Sequence, residues 1–281
     1  MLVVQSTGSI QTSSTFTSFL GEAVNLFNNG DATSAEKRIM EYLETPNAEL
    51  KPDIWHVLSF FKEKQQQHQA GYDFSIKAIE LALSNTNDYS DIADYYSTAA
   101  SHAMQLGKTD KCKQLLETSI SKWPEHGPSL LKLGKLYQYV IAKDIMAKGE
   151  SKDTLDKIYL TAITYYERYL QFSPNDHGIR NDLSLLLMNF PDRRNDAENH
   201  YEIAIQGGNI YAMTNYASYL NKNGQKEKSL QLQYRALETL RKSNDPGIRQ
   251  HEAGLLNNLG SALDNFGEER EAEAGLAWKK A

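Results

Sequence analysis

One pattern returns down this chain with a period of about 34 residues, and it constrains the fold more than any other feature. Its clearest second half is Ala162, Tyr166, Tyr169 and Pro174, and its clearest first half is Leu133, Gly134 and Tyr137. A small residue, an aromatic on the next turn, a further small or aromatic residue and then a proline mark the back half of a helix–turn–helix unit. Such a unit cannot bury its apolar face alone, so copies must stack. A stack of this kind offers a surface for holding another protein, not an enclosed pocket for chemistry.

Seven hairpins can be laid out. The first carries Ala23, Leu26, Gly30, Ala35, Ile39 and Tyr42; the second Trp55, Leu58, Ser59, Gly71 and Ala78; the third Tyr96, Ala100, Gly107, Cys112, Leu116 and Ser119. The fourth is the copy quoted above. The fifth has Leu183, Ser184, Leu187, Ala197, Tyr201 and Ala204; the sixth Tyr216, Ala217, Leu220, Gly224, Ser229 and Ala236; the seventh Leu259, Gly260, Leu263, Gly267, Ala272 and Leu276. The small residues belong where two helices cross, because axes must approach to about 8–10 Å. The large ones fill the wedge between successive hairpins. Gly30, Gly107, Gly224 and Gly267 share the turn slot, where a left-handed residue ends the first helix.

On these residues the chain resembles the tetratricopeptide repeat (TPR) family from residue 16 to 281. The resemblance implies an all-α, right-handed α-solenoid of about seven TPR-type hairpins, forming a single superhelical domain behind a flexible Ser/Thr-rich lead-in at 1–15. The stretch 197–220 is also similar to Sel1-type repeats. The spacing around Ser243–Gly247 and Leu256–Gly260 is similar to the kinesin light-chain repeats.

Three positions break the pattern. Ser75 and Gln233 stand where the repeat wants an aromatic, and an insertion at about 138–161 lengthens the fourth hairpin. Gly149 is its expected break and Asp153 its candidate N-cap. The insertion reads either as two longer helices or as a lip that touches a partner.

Composition removes several classes of activity. Net charge is −6 with no basic stripe, which argues against nucleic acid. No apolar run is long enough to span a membrane, and the start lacks a secretory signal. The single cysteine, Cys112, suits a reducing, cytoplasmic setting and sits in a slot for small buried residues. The seven histidines form no HExxH or Cys/His cluster, so no metal or other cofactor is expected. Gly207–Gly208–Asn209 reads as a helix stop. No nucleophile elbow is present, and the chain is expected not to be an enzyme.

The resemblance places certain first-helix positions in the concave groove. In the N-terminal half these are His56, Phe60, Lys135 and Tyr139. In the C-terminal half they are Asn181, Asn215, Ser218, Asn221, Asn257, Asn258 and Ser261. An amide both donates and accepts, so a ladder of asparagines can grip an extended backbone, and it equally serves contacts within the repeat. The lysine–asparagine clamp for a free C-terminal carboxylate lacks its spacing here, so acidic chaperone tails are not the expected ligand. The expected function is a scaffold or adaptor holding a peptide or partner domain in the groove. The alternative is a regulatory or targeting subunit that self-associates through an uncapped C-terminal end.

Overall fold

The computed structural model describes residues 2–4, 10–12, 18–44, 51–84, 91–244, 246–264 and 266–280. Where the sequence predicts a flexible lead-in, β1 (Leu2–Val4) and β2 (Ile10–Thr12) pair antiparallel, with Val3 opposite Gln11. The remainder of 1–15 lies outside the described residues.

From residue 18 on, the described residues form α-helical hairpins of the TPR solenoid type, and the chain divides into two compact units, Met1–Ile158 and Tyr159–Ala281. The boundary falls inside the insertion that the sequence marks at 138–161. The first unit holds the hairpins α1 (Ser18–Asn28) with α2 (Ala32–Leu43), α3 (Pro52–Lys64) with α4 (His68–Ser84), and α5 (Ile92–Gln105) with α6 (Thr109–Lys122). Next come α7 (Gly127–Lys135), a π-helical segment at Leu136–Ile141, and α8 (Ala142–Ala147), which together make one unbroken helical run. The next helix, α9 (Lys152–Phe172), spans the boundary. The second unit holds α10 (His177–Leu187) with α11 (Arg194–Gln206), then α12 (Ile210–Lys222) with α13 (Lys226–Lys242). The short α14 (Pro246–Arg249) leads to α15 (Glu252–Asp264) and α16 (Glu271–Lys280).

The small crossing positions meet as the pattern requires. Ala23 and Ala35 are fully buried, as are Ser184 and Ala197. Ser229 Oγ donates to the Ala217 carbonyl at 2.7 Å, so in α12 and α13 the two small residues touch directly. Tyr166 and Tyr201 fill the aromatic wedge and are buried.

The turn slot is more regular than its residue types. Gly30, Gly107, Gly224 and Gly267 all have positive φ, and so do Gly149 and Gln66. At Gly107 the helix closes with Gly107 N–H donating to Met104 O and Lys108 N–H to Ala103 O. The same pair of bonds occurs at Gln66, where Gln66 N–H donates to Glu63 O and Gln67 N–H to Lys62 O. These crossed bonds satisfy carbonyls that the helix end would leave bare, and they demand the left-handed residue. Gln66 takes that conformation at φ 57° despite its Cβ.

Two details differ from the sequence reading. Gly149 does break the insertion, at φ 68°, but the cap on α9 is Ser151, whose Oγ accepts from Thr154 N–H at 3.2 Å, and not Asp153. In the last hairpin a 3₁₀ turn at Gly267–Arg270 advances α16. Its buried face is therefore Ala274 and Ala277, while Ala272 and Leu276 are exposed.

The departures at the aromatic slots have opposite outcomes. Ser75 leaves room that His102 of the next hairpin fills. Ser75 Oγ donates to Gly71 O at 3.0 Å, Ser59 and Ser75 Oγ lie 2.5 Å apart, and His102 Nε2 lies 3.0 Å from Ser59 Oγ. Gln233 has no such partner. It is buried, and its Oε1 has none among the described residues.

Candidate functional site

The first helices of the hairpins carry the expected groove residues, and the two units present them differently. In the second unit, Asn257, Asn258 and Ser261 stand exposed on α15 while Leu255, Leu256 and Leu259 beside them are buried. Ser218 is exposed on α12, and Asn221 is half-buried. Asn181 is only 6% exposed. Its Oδ1 accepts from Asn215 Nδ2 at 2.9 Å, a rung one repeat long between α10 and α12. That amide pair is spent on the seam between hairpins. Tyr211 on α12 is exposed, and its hydroxyl is 3.0 Å from His251 Nε2. Behind it, Tyr216 stacks on Tyr201 at 5.1 Å and on Tyr219 at 6.1 Å between ring centres.

In the first unit, His56 and Phe60 are buried. His56 Nε2 lies 2.9 Å from Thr98 Oγ1, and Phe60 packs edge-on against Phe27 at 5.5 Å. Their size and position in α3 make them part of the wedge. Lys135 and Tyr139 do face out, with Tyr139 at 51% exposure. Both line a cavity of about 760 Å³ formed by α3, α5, the α7 run and the turn into α4. The π segment places Leu136, Tyr139 and Val140 on its wall. A π turn accommodates an extra residue within the helix and is frequent at functional positions. No residue type announces it, which is why sequence reading misses it.

The cavity wall brings several charged and titratable side chains together. Lys64, Lys132, Lys135, Glu63, His68 and His102 all line it. Lys132 Nζ donates to Ser97 O at 2.9 Å and to Ser97 Oγ at 2.8 Å. Burial pushes the Lys132 ammonium below its ordinary value, although Glu63 opposes the shift. Burial likewise holds His56 and His102 below the usual imidazole range. His68 and His102 lie 5.7 Å apart between ring centres, and each has a buried Nδ1 with no partner among the described residues. Cys112 also lines the cavity, but burial raises its thiol to about 11, which leaves it protonated and inert. No group of three or more His, Cys, Asp or Glu among the described residues is arranged to hold a metal ion.

Behind this wall, His126 joins the third hairpin to the fourth. Its Nε2 is 3.1 Å from Asp94 Oδ1 and its Nδ1 2.8 Å from Ser129 Oγ. Gly207–Gly208–Asn209 is a helix stop followed by a cap: Gly208 has φ 79°, and Asn209 Oδ1 accepts from Ala212 N–H at 2.8 Å. No described helix is long and apolar enough to cross a membrane.

No protein-family model and no curated protein sequence matches the chain. Solved structures do. The C-terminal part of a TPR repeat-containing protein from Cytophaga hutchinsonii is 11% identical, covers 92% of this chain and 93% of its own, and superposes with a TM-score of 0.61. PilF from Pseudomonas aeruginosa is 14% identical over 84% of this chain and 96% of its own, with a TM-score of 0.58. A monomeric mutant of IFIT1 with m7Gppp-AAAA is 15% identical over 89% of this chain and 62% of its own, with a TM-score of 0.51. At these identities the likeness establishes the TPR-type fold and nothing about ligands.

Proposed function

We propose that this chain is a non-enzymatic scaffold that holds a peptide or a partner domain along the exposed face of its first helices. One observation carries the reading: along the middle of α15 the amides Asn257 and Asn258 are exposed with Ser261, between exposed Ala253 and Asp264, while Leu255, Leu256 and Leu259 are buried. Uncharged groups that both donate and accept can pair with peptide N–H and C=O without selecting a charge. The π turn with Tyr139 and Lys135 supports a second contact area in the first unit. The TPR-type fold is consistent with this reading, because stacked hairpins expose extended surfaces.

The test is selection of a displayed random dodecapeptide library on the whole chain, followed by affinity measurement for the winners. The double variant Asn257→Ala/Asn258→Ala should weaken them about tenfold, the equivalent of one strong polar pair, with an unchanged melting temperature. No enrichment over an unrelated protein, or unchanged affinity in the double variant, removes the proposal. Asn181 is a poor choice for such a test. Its replacement by alanine breaks the rung to Asn215 and should appear as about 1 kcal/mol of lost stability.

A further inference from the structure

The proton inventory of the first unit's cavity says what is missing from it. Ser75 Oγ spends its one hydrogen on Gly71 O, so the hydrogen in the 2.5 Å contact belongs to Ser59. Ser59 Oγ must then accept from His102 Nε2–H across 3.0 Å. Neutral His102 therefore carries its proton on Nε2, and its buried Nδ1 is a bare acceptor with no donor among the described residues. Lys132 has three hydrogens, and Ser97 takes two. Lys135 is exposed and makes no hydrogen bond or ion pair to another described residue. Among the described residues, Glu63 is the one carboxylate on a wall that carries three ammonium groups.

The cavity thus lacks a negatively charged acceptor for the lysines and an N–H donor for His102. An acidic residue within an extended peptide brings both, a carboxylate on its side chain and an amide on its backbone. We infer that this cavity is the subsite for an internal Asp or Glu side chain of the protein partner; the inference rests on the scaffold reading above. The aliphatic wall of Leu136, Val140 and Met104 would cover the methylenes of the same residue. Lys64 sits in the last turn of α3, where positive charge also suits a helix C-terminus, whereas Lys135 lies inside the unbroken run through the π segment. That effect does not account for the two unpartnered imidazole nitrogens. A phosphate is the competing occupant of such a wall, and the probes below separate it from a carboxylate.

The experiment uses the full chain and three probes: N-acetyl-glutamate N-methylamide, its glutamine analogue and its phosphoserine analogue. Imidazole ¹⁵N resonances of His68 and His102 report binding. The glutamate probe should shift both in a saturable manner. The glutamine probe should bind at least about tenfold more weakly, and the Lys64→Gln/Lys135→Gln variant should lose a similar factor. Circular dichroism checks that this variant, altered at two exposed helical positions, stays folded. His68→Asn gives a second variant that leaves the lysines in place, and it should weaken the glutamate probe as well. Absence of saturable shifts, equal binding of the glutamine probe or tighter binding of the phosphoserine probe overturns the inference. So does a requirement for a free C-terminal carboxylate among peptides selected from the library. Selected peptides with no acidic bias that still depend on Asn257 and Asn258 would sink this inference and leave the scaffold reading standing. An empty selection would sink that reading instead.

Discussion

The inner faces of the two units solve the same packing problem with opposite chemistry. In the first unit the positions between hairpins carry the buried His56 and His102 with the half-buried Lys132, and Asp94 stands partly exposed beside them. In the second they carry the amide rung Asn181–Asn215 and a column of tyrosine rings. Neutral amides can be buried once paired, with no charge to desolvate. Buried titratable groups cost more, and they bind stability to pH. The repeat pattern tolerates both because it specifies side-chain size at the crossings and leaves polarity open.

The sharpest way to break this comparison is at its two histidine–glycine contacts. A Cβ on Gly71 would sit 2.2 Å from the His102 ring, and one on Gly207 would sit 2.1 Å from the His177 ring. His102 is fully buried and held by Ser59, whereas His177 is half-buried and can swing aside. Gly71→Ala should therefore cost about 3 kcal/mol and Gly207→Ala about 1 kcal/mol, both read by chemical denaturation. Equal costs would show that the two contacts are alike after all.

Acidification should separate the units less severely. Burial keeps His56 and His102 neutral in the folded chain, while the unfolded chain takes up protons near the ordinary imidazole value of 6.5. The unfolded state then binds more protons, so stability falls as pH drops below about 6.5 and is unaffected above it. His200 in the second unit is lowered too, by burial and by Arg180. Hydrogen exchange on going from pH 7 to 5 should show protection lost first among α3–α6. Earlier loss in α10–α13 would reverse the comparison.

Two substitutions probe the smallest effects. Gln233→Leu in the second unit removes a buried carbonyl oxygen that has no partner among the described residues, and should add about 1 kcal/mol. Gln66→Gly in the first relieves a left-handed backbone at φ 57°, offset by the greater freedom of the unfolded glycine, for a net gain of about 0.5 kcal/mol. Thermal unfolding of each variant checks the sign.

The residues explain why the fold was legible and the site only partly so. Alanine and serine at crossings, and glycine in the turn slot, are dictated by backbone approach and φ, and both are local demands that a sequence states directly. Gly149 and the longer helices around it follow from the same rules. Gln66 shows the limit: the slot needs a conformation, and the residue type does not announce it. His102 shows a second limit. Its partner Ser59 lies 43 positions away, and Ser59 in turn meets Ser75, so the reason for Ser75 at an aromatic slot exists only after stacking. Among the groove candidates, Lys135, Tyr139, Asn257 and Asn258 are exposed where helix phase puts them. His56, Phe60 and Asn181 are drawn inward by neighbours that a period cannot identify.

The π segment at Leu136–Ile141 has a consequence for how this chain could change. It stores one surplus residue inside a helix rather than in a loop. A single-residue deletion there would leave an ordinary helix with its ends still joined to the same neighbours. The helix beyond the segment would keep its packing, while positions inside it would shift by one residue, about 100° around the axis. Tyr139 and Val140 would leave the wall together, so one codon lost in that short stretch would re-aim the surface without touching the scaffold that carries it.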